Sequence, residues 1–376
     1  MRQLIFLFAN LIYKIMHIFP VNRNRVILEC DYGKGFYCNL LYIYKEILNQ
    51  KLPLEIIIPL NKGIQFEESV SKNTKIVRTR SISHLYYLAT SKYWITNNHY
   101  YYFLKPRKET IFINTWHALG AFKKFGLDSA KTKEEINRFK KEGENISYLL
   151  VSSSKLKDIY SKALNVPKER IVSIGIPRTD PLFSDDYQGT IKEQFIKKYP
   201  ILKGKKIILY APTFRDHEKE NFNLKLNLRE MKAALGDNYI LLMKLHPIIR
   251  NNYKLSAEIS NFVIDAGREN INDLMIISDV LITDYSSLIF EYSLLKKPII
   301  FYAYDYEEYV SKRGFYFEFK DFVPGPIAKT TNEIINLLKE DNFDIEKVIK
   351  FSKEFCEYQD GKSTQRFINR FLKNKI

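Results

Sequence analysis

Residues 278–291 read Ser278-Asp-Val-Leu-Ile-Thr283-Asp284-Tyr-Ser286-Ser287-Leu-Ile-Phe-Glu291. Val280–Thr283 is a short aliphatic and β-branched run that closes in polar residues, the pattern of a buried strand. Asp284 to Ser287 include good helix-cap residues, and an apolar helical pattern starts behind them. A strand that turns into a helix through a polar loop is the unit from which parallel α/β sheets are built. Free N–H groups at such a helix start, joined by the Ser286 and Ser287 hydroxyls, suit an anion. Glu291, about one turn further in, is placed to accept hydrogen bonds from ribose hydroxyls. Plain helix capping accounts for the same residues, and the two roles are compatible.

The same rhythm extends in both directions. Strands are predicted at Arg25–Glu29, Leu54–Pro59, Tyr93–Thr96, Thr110–Asn114, Tyr148–Ser152 and Arg170–Ile174, with a helix over Cys38–Asn49. Asp180–Gly204 is polar and helical, without a strand. A second series follows at Lys206–Tyr210, Tyr239–Lys244, Phe262–Asp265, Val280–Thr283 and Pro298–Tyr302. Two such series predict two doubly wound α/β domains, with ligands at the carboxyl ends of the strands in a cleft between them. The expected organisation is 21–185 for the first domain, 186–350 for the second, and a C-terminal helix over 351–376.

The chain has 376 residues, 45% of them hydrophobic, a core-forming composition that excludes disorder as the main state. Its three cysteines, Cys30, Cys38 and Cys356, form no C-x-x-C pair, which argues against a disulfide framework or a structural zinc site. Lys and Arg exceed Asp and Glu by 16, so the protein attracts anions: nucleic acid, anionic lipid or a phosphorylated substrate.

Residues 1–20, MRQLIFLFANLIYKIMHIFP, look like a membrane span until the polar positions are counted. Gln3, Asn10, Lys14 and His17 fall at spacings of seven, four and three, on one side of a helix whose remainder is apolar. A span needs ~20 predominantly apolar residues. No small-residue cleavage site follows. The expectation is an amphipathic helix in the membrane interface, with Arg2, Lys14, Arg23 and Arg25 near anionic headgroups. A helix covering the protein's own core is the plainer alternative.

Other polar residues directly after predicted strands are candidates for chemistry. Trp116 and His117 follow the Thr110–Asn114 strand; His117 suits a general base, and Lys123 brings a positive charge close to an anion. A strand-end core position explains Trp116 and His117 equally well. Thr213 and Arg215 follow Lys206–Tyr210, where Arg suits phosphate recognition or pairs with Asp216 or Glu218. His246 and Arg250 follow Tyr239–Lys244. One histidine per series allows one to act as base and the other to donate to a leaving phosphate. No P-loop, no G-x-G-x-x-G and no nucleophile elbow is present, and no His/Cys/Asp cluster has metal-ligand spacing, so no metal and no cofactor is expected.

Several stretches together resemble the CDP-glycerol glycerophosphotransferase family of teichoic-acid and capsule synthesis. They are Tyr93-Trp-Ile-Thr-Asn97, Asn114 to Gly126 (NTWHALGAFKKFG), Gly175-Ile-Pro-Arg178-Thr-Asp180, Ile208 to Asp216 (ILYAPTFRD), Leu245-His-Pro247, and Ser278 through Arg313-Gly-Phe-Tyr-Phe to Pro324-Gly-Pro-Ile327. The resemblance implies a GT-B architecture, two Rossmann-like domains around a cleft with C-terminal helices crossing back to the first. It implies a monotopic enzyme on the cytoplasmic face of the membrane, transferring glycerol phosphate from CDP-glycerol to a hydroxyl of an undecaprenyl-diphosphate-linked acceptor and releasing CMP. By motif, the catalytic histidines fall on His117 and His246. The donor contacts fall on Thr213, Arg215, Ser286, Ser287 and Glu291, with Arg250 near them. Trp116, Lys123, Arg178 and Asp180 fall on the acceptor side or in the cleft. Ala118-Leu119 departs from the family's usual Gly and small or Pro residue after Trp-His, which bears on acceptor choice.

CDP-ribitol is the nearest rival donor. Little sequence precedes the first strand beyond the amphipathic helix, which favours a primase over a polymerase. A non-catalytic basic module for membrane or nucleic acid is the alternative of a different class. Nucleic acid is not an expected partner: Lys131–Lys141, the densest basic stretch, includes Glu134 and Glu135 and a single aromatic, Phe139.

Overall fold

The computed structural model describes residues 2–213, 215, 223–245 and 255–373. Two compact units divide the chain: Met1–Leu119, Phe125–Asp180 and Glu357–Ile376 form the first, and Gly120–Lys124 and Pro181–Cys356 the second. The chain thus passes between units after Leu119, Lys124, Asp180 and Cys356.

In the first unit seven strands form one sheet: β1 (Asn22–Glu29), β2 (Glu55–Leu60), β3 (Thr74–Arg78), β4 (Ser91–Thr96), β5 (Ile111–Asn114), β6 (Tyr148–Val151) and β7 (Ile171–Ser173). Their order is β3-β2-β1-β4-β5-β6-β7, and every pair is parallel. Helices α1 (Arg2–Ile15), α2 (Cys38–Asn49), α3 (Ile82–Thr90), α4 (Lys133–Asn145) and α5 (Lys157–Leu164) accompany it. The second unit has β8 (Lys206–Ala211), β9 (Tyr239–Met243), β10 (Val263–Asp265), β11 (Val280–Thr283), β12 (Ile299–Tyr302) and β13 (Ile327–Ala328), in order β10-β9-β8-β11-β12-β13, again all parallel.

Both sheets reverse their winding next to their first strand, between β1 and β4 and between β8 and β11. Diverging connections leave a crevice at the carboxyl ends there, where α/β proteins bind ligands. The strands read as continuous apolar runs because helices cover both faces. Val26–Glu29, Ile56–Leu60 and Ile207–Ala211 are buried without alternation. In the second unit Ile208, Leu241, Ile282 and Ile300 meet in one core cluster.

The predicted helix Cys38–Asn49 and strand Val280–Thr283 have their expected limits. Two strands have no counterpart in the expectations. β3 is an edge strand whose Lys75, Ile76 and Arg78 face outward, so no apolar run marks it, and β13 is two residues long.

At the N-terminus α1 covers 14 residues, about 21 Å at 1.5 Å per residue, well short of the ~30 Å of a bilayer core. No described helix is long and apolar enough to cross a membrane. One side of α1 docks on the first unit. Phe6 stacks on Phe103 at 4.3 Å, Asn10 Nδ2 donates to the Phe103 carbonyl at 2.6 Å, and the Tyr13 hydroxyl donates to the Lys105 carbonyl at 2.9 Å. The other side carries Leu4, Leu7, Phe8, Leu11 and Ile15, each more than half exposed. Asn10 therefore serves docking, not an outward polar stripe. Arg25 is likewise not available to headgroups. It is buried, with Nε 2.7 Å from Glu55 and Nη1 donating to Thr90 Oγ1, because a cation at a strand start inside the sheet needs a partner.

Candidate active site

At the switch point of the second sheet, Thr283 hands over to Asp284 and β8 hands over to Thr213 and Arg215. Asp284 is the hub. Its Oδ1 accepts from the backbone N–H of Thr213 at 2.8 Å and of Tyr285 at 2.7 Å, joining the two strand-end loops. Its Oδ2 stands 2.9 Å from Arg215 Nη1. Asp305, just beyond β12, takes Arg215 Nε at 2.7 Å and Nη2 at 2.9 Å, a bidentate pair. The guanidinium also lies over the rings of Tyr309 at 4.7 Å and Tyr285 at 5.2 Å. Burial opposes its charge, but Asp305 and Asp284 outweigh that and hold its pKa above the ordinary arginine value.

Arg215 is thus engaged by Asp284 and Asp305, where the sequence offered donor phosphate or Asp216 and Glu218. Asp216 and Glu218 lie outside the described residues, as do His246 and Arg250. Ser286 and Ser287 are half-buried at the start of the helix Leu288–Ser293, and Ser286 Oγ accepts from Leu288 N–H at 3.2 Å. Among the described residues, the Thr213 hydroxyl oxygen is buried without a hydrogen-bond partner. Glu291 is fully buried on that helix.

His117 lies in the first unit, beyond β5. Asn114 Oδ1 accepts from Trp116 N–H at 2.8 Å, turning the chain sharply and holding Trp116 at φ 52°, a left-handed value unusual for a bulky residue. Asn39 at the start of α2 clamps this turn from below. Its Nδ2 donates to the Trp116 carbonyl at 2.9 Å and its Oδ1 accepts from Arg178 N–H at 3.1 Å. The Trp116 ring is buried, whereas the His117 ring beside it is open to solvent. His117 Nδ1 lies 3.1 Å from the Asn97 carbonyl. A carbonyl only accepts, so Nδ1 carries the hydrogen and Nε2 keeps its lone pair. Crowding by surrounding protein lowers the His117 pKa to about 4; the Asn97 carbonyl opposes this and Arg178 adds to it. The ring is therefore neutral at pH 7.

Asp180 has a different post. Its carboxylate accepts from the N–H groups of Ser363 and Thr364 at 2.9 and 2.7 Å and from Thr364 Oγ1 at 2.6 Å, fastening the C-terminal segment to the first unit. Gly175 starts the same loop at φ +80°, and a Cβ there would come within 2.2 Å of Ser363 Oγ. Lys123 lies in the five residues that fold with the second unit, bridged to Phe315. Ala118 and Leu119 are tied by their carbonyls, which accept from the Tyr160 and Ser152 hydroxyls.

Sequence reasoning missed Asp284 and Asp305 as partners of Arg215, and Asn97 and Asn39 as supports of His117. Asn97, Asp284 and Asp305 all follow strands, so the rule that selected His117 reaches them too.

A family model described as CDP-glycerol:poly(glycerophosphate) glycerophosphotransferase matches residues 11–373. This chain belongs to that family. It is 35% identical to the teichoic acid ribitol-phosphate primase of Bacillus spizizenii, over 96% of this chain and 95% of the primase. It is 33% identical to the teichoic acid poly(ribitol-phosphate) polymerase of the same species, over 96% of this chain but 58% of the polymerase. Among solved structures, the wall teichoic acid polymerase TagF superposes with a TM-score of 0.86 in a crystal soaked with CDPG, at 27% identity over 98% of this chain and 94% of that one. The family is one of transferases, and the two parallel α/β units are those of a TagF-like fold.

Proposed function

We propose that this protein transfers glycerol phosphate from CDP-glycerol to a hydroxyl of a lipid-linked acceptor, with release of CMP, in wall teichoic acid synthesis. The observation that carries the reading is the His117 ring: exposed, neutral, with Nδ1 committed to the Asn97 carbonyl and Nε2 left as acceptor. The acceptor hydroxyl attacks the phosphorus that bears glycerol, and its proton passes to Nε2 as the new P–O bond forms. The bond from that phosphorus to the bridging oxygen breaks, and CMP leaves with the electron pair. Donor phosphates bind at the carboxyl ends of β8 and β11, where Thr213, Ser286 and Ser287 supply hydroxyls; positioning and charge stabilisation carry such phosphoryl chemistry. Arg215 acts through Asp284, holding the two loops together. His246, by its motif, assists the departing CMP, and Arg250 lies near it in sequence.

The exposed apolar side of α1 supports peripheral attachment to a membrane; on this reading that membrane is anionic and the attachment is on its cytoplasmic side, where such an acceptor is presented. Ribitol phosphate as the transferred unit is a second reading, supported by the near full-length match to a ribitol-phosphate primase. The test is to incubate the protein with CDP-glycerol or CDP-ribitol and lipid-linked acceptors while following CMP. Release with CDP-glycerol alone supports the first reading and release with CDP-ribitol alone the second. No release with any pair overturns both.

A further inference from the structure

The first unit contains a cavity of about 490 Å³ that the reaction above leaves unassigned, well within the size range of small-molecule sites. It opens at that sheet's own switch point. Tyr32 and Lys34 follow the end of β1, and Tyr100 to Leu104 follow the end of β4. One wall is α1 itself, through Ile5, Phe6 and Ala9, and a second is α3, through Leu85 and Leu88. Lys34, Arg80 and Arg138 bring three cations to the lining against one carboxylate, Glu142. Lys34 and Arg80 are exposed at their ends.

Its floor is rigid. Buried Glu29 accepts from the Tyr101 hydroxyl at 2.8 Å and lies 3.2 Å from His84 Nε2, while His84 Nδ1 accepts from Arg80 N–H at 3.0 Å. A chain of side-chain contacts leads from the cavity wall to the His117 loop. Glu142 meets His99 at 2.6 Å, the His99 ring stands edge-on to Trp116 at 5.2 Å, and the Trp116 and His117 rings lie tilted against each other at 4.5 Å. Asp31, next to Tyr32, donates its N–H to Asn97 Oδ1, and the Asn97 carbonyl holds the His117 ring.

An apolar chamber with cations along it, walled by the helix whose outer side is exposed hydrocarbon, fits a ligand that is part hydrocarbon and part phosphate. We propose that this cavity is the acceptor subsite, holding the diphosphate and the first isoprenoid units of the lipid carrier. The cations take the diphosphate, and α1 and α3 take the hydrocarbon. The hydroxyl end then continues past Glu142 and His99 toward His117. This assignment rests on the reading of the protein as a transferase to a lipid-linked acceptor.

Titration calorimetry of the full chain with farnesyl diphosphate tests it, with inorganic diphosphate, farnesol and dihexanoylphosphatidylglycerol as separate arms. The expected result is binding of farnesyl diphosphate at least tenfold tighter than any of the other three. Arg80→Glu, at an exposed position, and Ala9→Trp, which fills the cavity from its helical wall, are each expected to weaken it at least tenfold and to leave CDP-glycerol binding unchanged. Equal affinity for inorganic diphosphate or for phosphatidylglycerol overturns the proposal, as does unchanged farnesyl diphosphate binding in both variants. If the wild-type chain turns over neither CDP-polyol, the transferase reading fails on that separate measurement, whatever the calorimetry shows.

Discussion

Arg215→Ala removes the cation from a nearly dry cluster. The Arg215 side chain is 5% exposed, Asp284 3% and Asp305 15%. Among the described residues, two carboxylates stay behind with no counter-charge, and three aromatic rings lose the guanidinium they face. Breaking one side of a buried ion pair costs about 3–5 kcal/mol, because the charge left over cannot return to water. The Asp284 carboxylate also holds Thr213 N–H, so the β8 and β11 loops loosen together. The expected loss is therefore about 3–5 kcal/mol, or roughly 10²- to 10³-fold or more in local protection, since about 1.4 kcal/mol is tenfold. Both tryptophans, Trp94 and Trp116, are in the first unit, so their fluorescence does not report this event directly. Hydrogen exchange resolved by peptide does: protection at Lys206–Ala211 and Val280–Thr283 should fall, and the KM for the CDP-polyol should rise. Adding Asp305→Asn to Arg215→Ala should return part of the loss by removing one stranded charge. A loss under about 1 kcal/mol in Arg215→Ala would refute the reasoning, for it would mean the two carboxylates are solvated or protonated at little cost.

His117→Ala should lower CMP release by ~10²–10⁴-fold while donor affinity holds, the range expected of a general base; near-normal turnover sinks that role. Because the neutral ring is the active form and its pKa is lowered toward about 4, kcat/KM should stay flat from pH 8 to pH 7 and fall only on acidification below the ordinary histidine value. A limb that begins above pH 7 contradicts the tautomer argument. Leu7→Glu with Leu11→Glu on the outer side of α1 should reduce flotation with phosphatidylglycerol vesicles at least tenfold, since burying each leucine contributes roughly 1.5–3 kcal/mol; unchanged flotation removes α1 as the anchor. Asp180→Ala should expose the segment after Cys356 to limited proteolysis, at about 1–3 kcal/mol for the stranded N–H groups of Ser363 and Thr364, with an unaltered cleavage pattern as the contrary result.

The sequence by itself determined the repeating units. Val280–Thr283 is a strand and Cys38–Asn49 a helix because local apolar periodicity and the residues that interrupt it are enough to specify them. It also singled out polar residues after buried strands as candidates, and the structure gives two of them, Arg215 and Asp284, a shared ion pair there. Tertiary structure alone decided strand order, and with it the two switch points, because each depends on pairings between segments tens of residues apart. It alone decided partners. Arg215 faces Asp284 and Asp305, 69 and 90 residues on, and Asp180 meets Ser363 and Thr364. It turned Asn10 inward and buried Arg25 because a donor or a charge at a packed surface must be satisfied by whatever lies across from it. The identity of that neighbour is a property of the fold and has no local trace in the chain.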